Sequence, residues 1–321
     1  MKPIKNFEFP PELQPLYRKA KRLEWITIVY LAITIVIMFL TMGNSQAMKT
    51  AWFEDVLSLT PSIAFLVVSR IFLKPANKEF PYGYHKVVSI AYLCSSLALF
   101  SVGCFLVIDS ATTLLKADRP TISTIVIFGQ QIWLGYVMIA ALIWGTVPAI
   151  FLGRAKLPLA EKLHEKNLHT DAEMQKADWM TGVAAILGIV GIGFGFWWAD
   201  AAAASLIAVD IIKDGFKNLK QALFDLMDQI PKTVDNQKTD PLIKHIEEYL
   251  KEKAWIKESA IRLREDGHIY FGEAFVVPVA TTNLTEHIEK TSQEIENMHW
   301  HLHEFIITLV SHLPAPADEQ A

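Results

Sequence analysis

Trp25 to Met42 reads WITIVYLAITIVIMFLTM, 18 consecutive residues without a charged side chain. As an α-helix, a run of this length crosses a hydrocarbon core of roughly 30 Å. In lipid a spanning segment must satisfy its own backbone, so only a helix or a closed barrel is admissible, and that restricts everything after it. Comparable runs recur. A second goes from about Ala51 to Leu73 and opens on Glu54 and Asp55. A third covers Val87 to Leu115, and a fourth Ile132 to Leu152. A fifth grows out of the polar stretch beginning at His164 and enters Thr181–Val190, and a sixth covers Asp200 to about Leu219. The chain is 52% hydrophobic and 20% charged, too apolar for an ordinary soluble domain and too charged to be membrane throughout, which predicts a bundle of spans joined to a soluble domain.

Residues 1–23 carry Lys2, Lys5, Arg18, Lys19, Lys21 and Arg22 and show no short apolar core with a small-residue cleavage site. The first run is therefore expected to be an uncleaved span after a cytoplasmic leader. Basic residues gather in the leader, in the second-to-third and fourth-to-fifth connections and at Lys213, Lys217 and Lys220. The remaining connections hold only Lys49, Lys116 and Arg119. By the positive-inside rule both termini are expected in the cytoplasm of a multi-pass protein of the cell's inner membrane, which needs an even number of spans, as six is. The net charge of −4 gives no basic field for nucleic acid, and Cys94 and Cys104 have neither zinc-ribbon spacing nor a disulfide pattern.

From Pro231 the pattern changes. Leu242, Ile246 and Leu250 recur at helical spacing, and Ser259–Arg264 alternates. Asp266-Gly267 is a hairpin turn signal, and His268–Val279 continues as a strand. Asn283 with Glu286 starts another helix, and Phe305–Val310 is a last strand. The order αββαβ predicts a small α+β sandwich. The expected division is 1–23 leader, 24–230 six-helix transmembrane domain, 231–313 cytoplasmic αββαβ domain and 314–321 disordered tail.

Charges inside the spans carry the chemistry. In the fifth span His164, Asp171, Gln175 and Asp178 are spaced seven, four and three apart and share a helix face. In the second, Glu54, Asp55, Ser58, Pro61 and Ser62 form a polar stripe. An intramembrane carboxylate is costly unless it faces a cavity or a partner. Two helices presenting carboxylates inside one bundle can converge on a cation, and oxygen ligands suit hard or borderline divalent metals. Such a site also links metal arrival to proton departure. In the soluble part His287, His299 and His301 are candidate metal ligands, and alternation puts His299, His301 and His303 on one side of a strand as a candidate binding edge. No nucleophile pairing or protease-like motif supports an intramembrane hydrolase, so the chain is not read as an enzyme.

With these residues in view, the chain resembles the cation diffusion facilitator family of metal/proton antiporters. The likeness rests on Phe80-Pro81-Tyr82-Gly83-Tyr84-His85-Lys86, on Ala177-Asp178-Trp179-Met180 through Asp200, and on Leu226-Met227-Asp228 before Pro231. It implies a homodimer whose cytoplasmic domain is metallochaperone-like, in which Lys86 and Asp228 are the candidates for a charge interlock. It also implies a transport site with two ligands four residues apart on each of the second and fifth spans. In that register the positions fall on Glu54 and Ser58 and on Met174 and Asp178, with Asp55 and Asp171 as auxiliary oxygen donors. The expected cargo is a divalent metal (Mn, Fe, Co or Zn) exported from the cytoplasm against protons, with no permanently bound cofactor. The competing expectation is a transport-impaired membrane sensor or scaffold, motivated by Ser58 and Met174 at ligand positions.

Overall fold

The structure, a computed structural model, describes residues 7–42, 46–116, 124–127, 130–196 and 198–313. The tail expected at 314–321 lies outside the described residues. The chain divides into two compact units. One comprises Leu13–Arg70 and Ile90–Ala222; the other comprises the N-terminal residues up to Glu12, Ile71–Ser89 and the chain from Leu223 onward.

The first unit is helical. Its elements are α1 (Gln14–Thr41), α2 (Gln46–Leu57), α3 (Leu59–Ile71), α4 (Lys86–Lys116), a hairpin of β1 (Thr124–Ile127) and β2 (Gln130–Trp133), α5 (Leu134–Leu163), α6 (Lys166–Gly193) and α7 (Ala199–Leu226). Five segments among the described residues are long and apolar enough to cross a membrane: α1, α2 with α3 as Ala51–Ile71, α4, α5 and α6. Their outer faces are what lipid requires. On α1 the exposed side includes Trp25, Ile26, Val29, Ile33, Val36, Phe39 and Leu40, an apolar strip far larger than a soluble surface tolerates. The inward face of that helix carries Tyr17, Ala20, Glu24, Thr27, Leu31, Thr34 and Met38, which follow one another at intervals of three and four and are all buried.

Two boundaries depart from the sequence expectation for reasons that matter at the site. The second span is not one continuous helix. It is interrupted at Ser58, between α2 and α3. Pro61 lacks the N–H that would bond to the Leu57 carbonyl, and its ring crowds that oxygen, so the ladder is disturbed one turn ahead of the proline. The fourth span does not stop at Leu152. Helix α5 continues to Leu163, which turns Lys156 from a supposed loop residue into a helical one, fully buried.

Close packing in this unit depends on small residues. A Cβ on Gly182 of α6 would run into the Thr146 hydroxyl of α5, so glycine there allows the two helices to approach one turn beyond Asp178.

The second unit contains α8 (Pro241–Lys251), β3 (Ile256–Asp266), β4 (Ile269–Pro278), α9 (Leu284–Glu296) and β5 (Leu302–Leu309). The sheet order is β3-β4-β5, with β3 antiparallel and β5 parallel to β4. Gly267 takes φ 68° in the β3–β4 turn, where a side chain would also meet Val88 and the His85 carbonyl. Asp240 caps α8 by accepting from the Leu242 N–H at 2.8 Å. Asn283 precedes α9 in a left-handed conformation and makes no side-chain cap bond, so the anticipated capping is conformational only. Ile243, Ile246 and Leu250 of α8 and Ile295 of α9 bury one face of the sheet, against Leu263, Tyr270, Ala274, Val276, Phe305 and Ile307.

Candidate metal centre

Among the described residues of the helical unit, α6 contributes an aspartate to each of two polar clusters. The first contains four of the expected ligands. Glu54 is buried on α2, Asp178 is buried on α6, and Ser58 sits at the α2–α3 interruption with no exposed surface. The Ser58 hydroxyl donates to Asp178 Oδ1 at 2.6 Å, and Thr181 donates to Glu54 Oε1 at 3.0 Å. Gln175 donates to Asp178 Oδ2 at 3.4 Å. Glu54, Asp55 and Asp178 line one cavity of about 20 Å³ together with Thr146, Thr181, Met38, Leu142 and the glycines 145 and 182. That volume is close to one water or one ion. Three carboxylates thus share a small space with two threonines, and among the described residues no lysine or arginine lines it. Among the described residues no three His, Cys, Asp or Glu side chains are drawn together tightly enough to form a finished metal cage. Ser58 and Thr181 instead occupy the carboxylate oxygens. Their own oxygens have lone pairs that a hard cation can use once their protons turn aside.

The second cluster takes Asp171. Its Oδ2 is in close contact with Lys156 Nζ and accepts from the Ser62 hydroxyl at 3.0 Å, and Lys156 also reaches Glu24 Oε2 at 3.2 Å. Lys156, Glu24 and Asp171 have fully buried side chains. Asp171 and Asp178 are seven residues apart, about 10 Å along the axis, so this is a separate location on the same helix. Met174 is in neither. It packs with Ala98, Leu99, Val102 and Leu106 of α4 and Ala208 and Ile211 of α7 in an apolar cluster. The structure therefore brings together Glu54, Asp55, Ser58 and Asp178, places Asp171 against a lysine, and surrounds Met174 with hydrocarbon.

Sequence reasoning missed Glu24 and Lys156. Both left a trace in the spacing. Glu24 falls in the 3-4 stripe of α1, and Lys156 follows Leu152 by four and precedes Leu159 and Leu163 by three and seven, all buried on α5.

In the other unit, Lys86 Nζ lies 3.1 Å from Asp228 Oδ1 and 3.6 Å from Asp266, and Arg264 lies 3.5 Å from Asp228. Burial pushes the Asp266 carboxyl up, against the opposing pull of Lys86 and Arg264. His299 and His301 come together with ring centres 4.8 Å apart, but His301 is buried, stacks on Tyr270 and donates from Nδ1 to the His268 carbonyl at 2.7 Å. His287 lies against Trp255 on α9. A third group of imidazoles surrounds Phe7. His85 and His303 rings are 5.6 Å apart, and His268 stacks on Phe7 and meets Phe9 and Phe72 edge-on. Burial and the neighbouring His303 and His268 lower the His85 pKa from the ordinary 6.5 to about 4, so it is neutral at physiological pH.

These features define a polytopic helical membrane protein with a carboxylate-lined cavity in its bundle and a small α+β domain. The family of the cation efflux transmembrane domain matches residues 24–227, and the chain belongs to it. Among characterised relatives, the manganese efflux system protein MneS of Bacillus subtilis is 26% identical over 63% of this chain and 64% of its own length. The manganese efflux system protein MneP of the same organism is 25% identical over 72% of this chain and 74% of its own. Protein p34 of Rickettsia rickettsii is 22% identical over 65% of this chain and 67% of its own. The match to MneS thus spans somewhat under two thirds of that relative's length.

Proposed function

We propose that the chain exports divalent metal cations from the cytoplasm across the cell membrane, in exchange for protons, through the site formed by Glu54, Asp55, Ser58 and Asp178. The observation that carries the reading is the convergence of Glu54 and Asp55 from α2 and Asp178 from α6 on one ion-sized cavity with no basic side chain in its lining among the described residues. The donors are oxygen only, with Met174 held among apolar neighbours. That chemistry favours a hard divalent ion over zinc or copper, and manganese is the first choice because two of the relatives are manganese efflux proteins. Protons are the natural counter-ion, since carboxylates that release a cation take up protons in its place.

The rest of the proposal follows the family. Helix α7 is the sixth span, both termini are cytoplasmic, and two copies form the working unit. Lys86 and Asp228 couple the soluble domain to transport. His299 and His301 are at most a minor cytoplasmic binding edge, and Asp171 and Met174 are set outside the ion's coordination sphere.

The test is Mn²⁺ uptake by everted membrane vesicles under an imposed pH gradient. Wild type takes up Mn²⁺ and dissipates the gradient; Asp178→Asn and Glu54→Gln do neither. Vesicles in which the wild type moves no Mn²⁺, Fe²⁺, Co²⁺ or Zn²⁺ would instead establish the sensor or scaffold reading.

A further inference from the structure

We propose that Lys156 determines where the bundle accepts metal: its ammonium is a tethered internal cation that fills a second divalent-ion site formed by Glu24, Asp171 and Ser62. This rests on the reading that the transported ion binds at Glu54, Asp55, Ser58 and Asp178.

Both clusters combine buried carboxylates with a serine hydroxyl, and only the second holds a lysine. Around Lys156 Nζ stand Glu24 Oε2 from α1 at 3.2 Å and, in close contact, Asp171 Oδ2 from α6, with the Ser62 hydroxyl of α3 bonded to that same aspartate oxygen. All the side chains involved are buried without residual exposure. Among the described residues, the second oxygens, Glu24 Oε1 and Asp171 Oδ1, find no hydrogen-bond partner. One positive charge therefore serves two carboxylates, and two further oxygens are left over.

Two carboxylates and a hydroxyl around one point make an oxygen set that a hard divalent cation would accept. Bare, the two buried carboxylates would repel each other and would have to take up protons or a cation to stay in the interior. The ammonium resolves this by covalent attachment. Being part of α5, it cannot be exchanged for an ion from solution, so Asp171 stays bound to protein while Asp178, two turns away, is left to hydroxyl and amide donors that can yield to a metal. Lys156 accordingly sets the ion count of the helical unit as well as the ion's address.

The experiment counts Mn²⁺ bound per chain by the full-length protein in detergent, using equilibrium dialysis with electron paramagnetic resonance of the free ion. Lys156→Met is expected to bind one Mn²⁺ more than wild type. The additional ion should vanish in K156M/D171N and persist in K156M/D178N, and Lys156→Arg should keep the wild-type count. Folded K156M with the wild-type count overturns the proposal. If K156M is recovered folded only when millimolar Mn²⁺ is supplied, the proposal stands; if it misfolds with and without Mn²⁺, the bare carboxylates are no ion site and the proposal falls. Failure of the underlying reading looks different: wild type and D178N would then bind equal numbers of ions, whatever K156M does relative to its parent.

Discussion

Helix α6 presents two buried aspartates to two different neighbourhoods. Asp178 meets a serine hydroxyl and a glutamine amide beside a small cavity shared with Glu54 and Asp55. Asp171 meets a buried lysine that also holds Glu24. Both are carboxylates in a membrane helix, where a charge needs compensation, and the difference lies in whether the compensating group can leave. Hydroxyls and amides compensate weakly and can be displaced. An ammonium on the protein's own backbone compensates strongly and stays. On the proposed reading, one aspartate is reserved for cargo and the other for architecture.

The comparison can be broken most directly at the cargo site. Replacing Asp178 with Asn should reduce Mn²⁺ transport by about 100-fold or more, and Glu54→Gln by at least tenfold, each read as initial uptake in vesicles normalised to protein. If D171N were as damaging to metal affinity as D178N, the division between the two aspartates would be lost. Next in size is the architectural side. Lys156→Met in the absence of divalent ions should lower stability by about 3–5 kcal/mol, because it leaves a buried carboxylate pair uncompensated. Thermal unfolding in detergent checks this, and E24Q/K156M/D171N should recover much of the loss.

A third expectation concerns the α+β unit and serves as a control outside both clusters. His85 is neutral in the folded state, with its pKa lowered from 6.5 to about 4 by burial and by His303 and His268. The unfolded chain binds the proton more readily between those values. The stabilisation from keeping His85 neutral is therefore complete above pH 6.5 and is lost as pH falls toward 4, by at most about 3 kcal/mol. Trp300 lies 6.2 Å from Phe7 in the same group, so its fluorescence during acid titration reports the opening, and His85→Gln should flatten the profile.

Ser58→Ala sharpens the contrast at smaller scale. It removes the 2.6 Å bond to Asp178, should lower stability by about 1–2 kcal/mol, and should weaken Mn²⁺ binding by about tenfold if the serine oxygen joins the ion. The smallest effect is expected at Lys86. Its contacts to Asp228 are about half exposed, so Lys86→Ala should change stability by no more than about 1 kcal/mol, less at high salt, while a coupling role would show as a loss of transport rate.

Much of the membrane part could be read directly. Trp25–Thr41 lies within α1 and Val87–Leu115 within α4, because lipid demands long uncharged helices whatever their partners, whereas the run expected from Ile132 begins in β2 and turns helical only at Leu134. The α+β domain was legible through its alternation and through Asp266-Gly267, which the β3–β4 turn uses. The break at Ser58 was foreshadowed by Pro61 but not read as one. The extent of α5 was missed, since a count of apolar residues ends a span at the first charges, here Arg154 and Lys156, while the helix runs on to Leu163.

Sequence alone determined that carboxylates lie within membrane helices and that Glu54 and Asp178 are among them, since composition and period are local properties. Which carboxylate is paired with a lysine was decided by tertiary structure. Asp171 is neutralised by a lysine 15 residues away on another helix, and that lysine is shared with a glutamate 132 residues away. Met174 is withdrawn by helices α4 and α7 closing around it. Charge compensation acts across a few ångströms of space, and no periodicity along one helix records what the neighbouring helix brings to meet it.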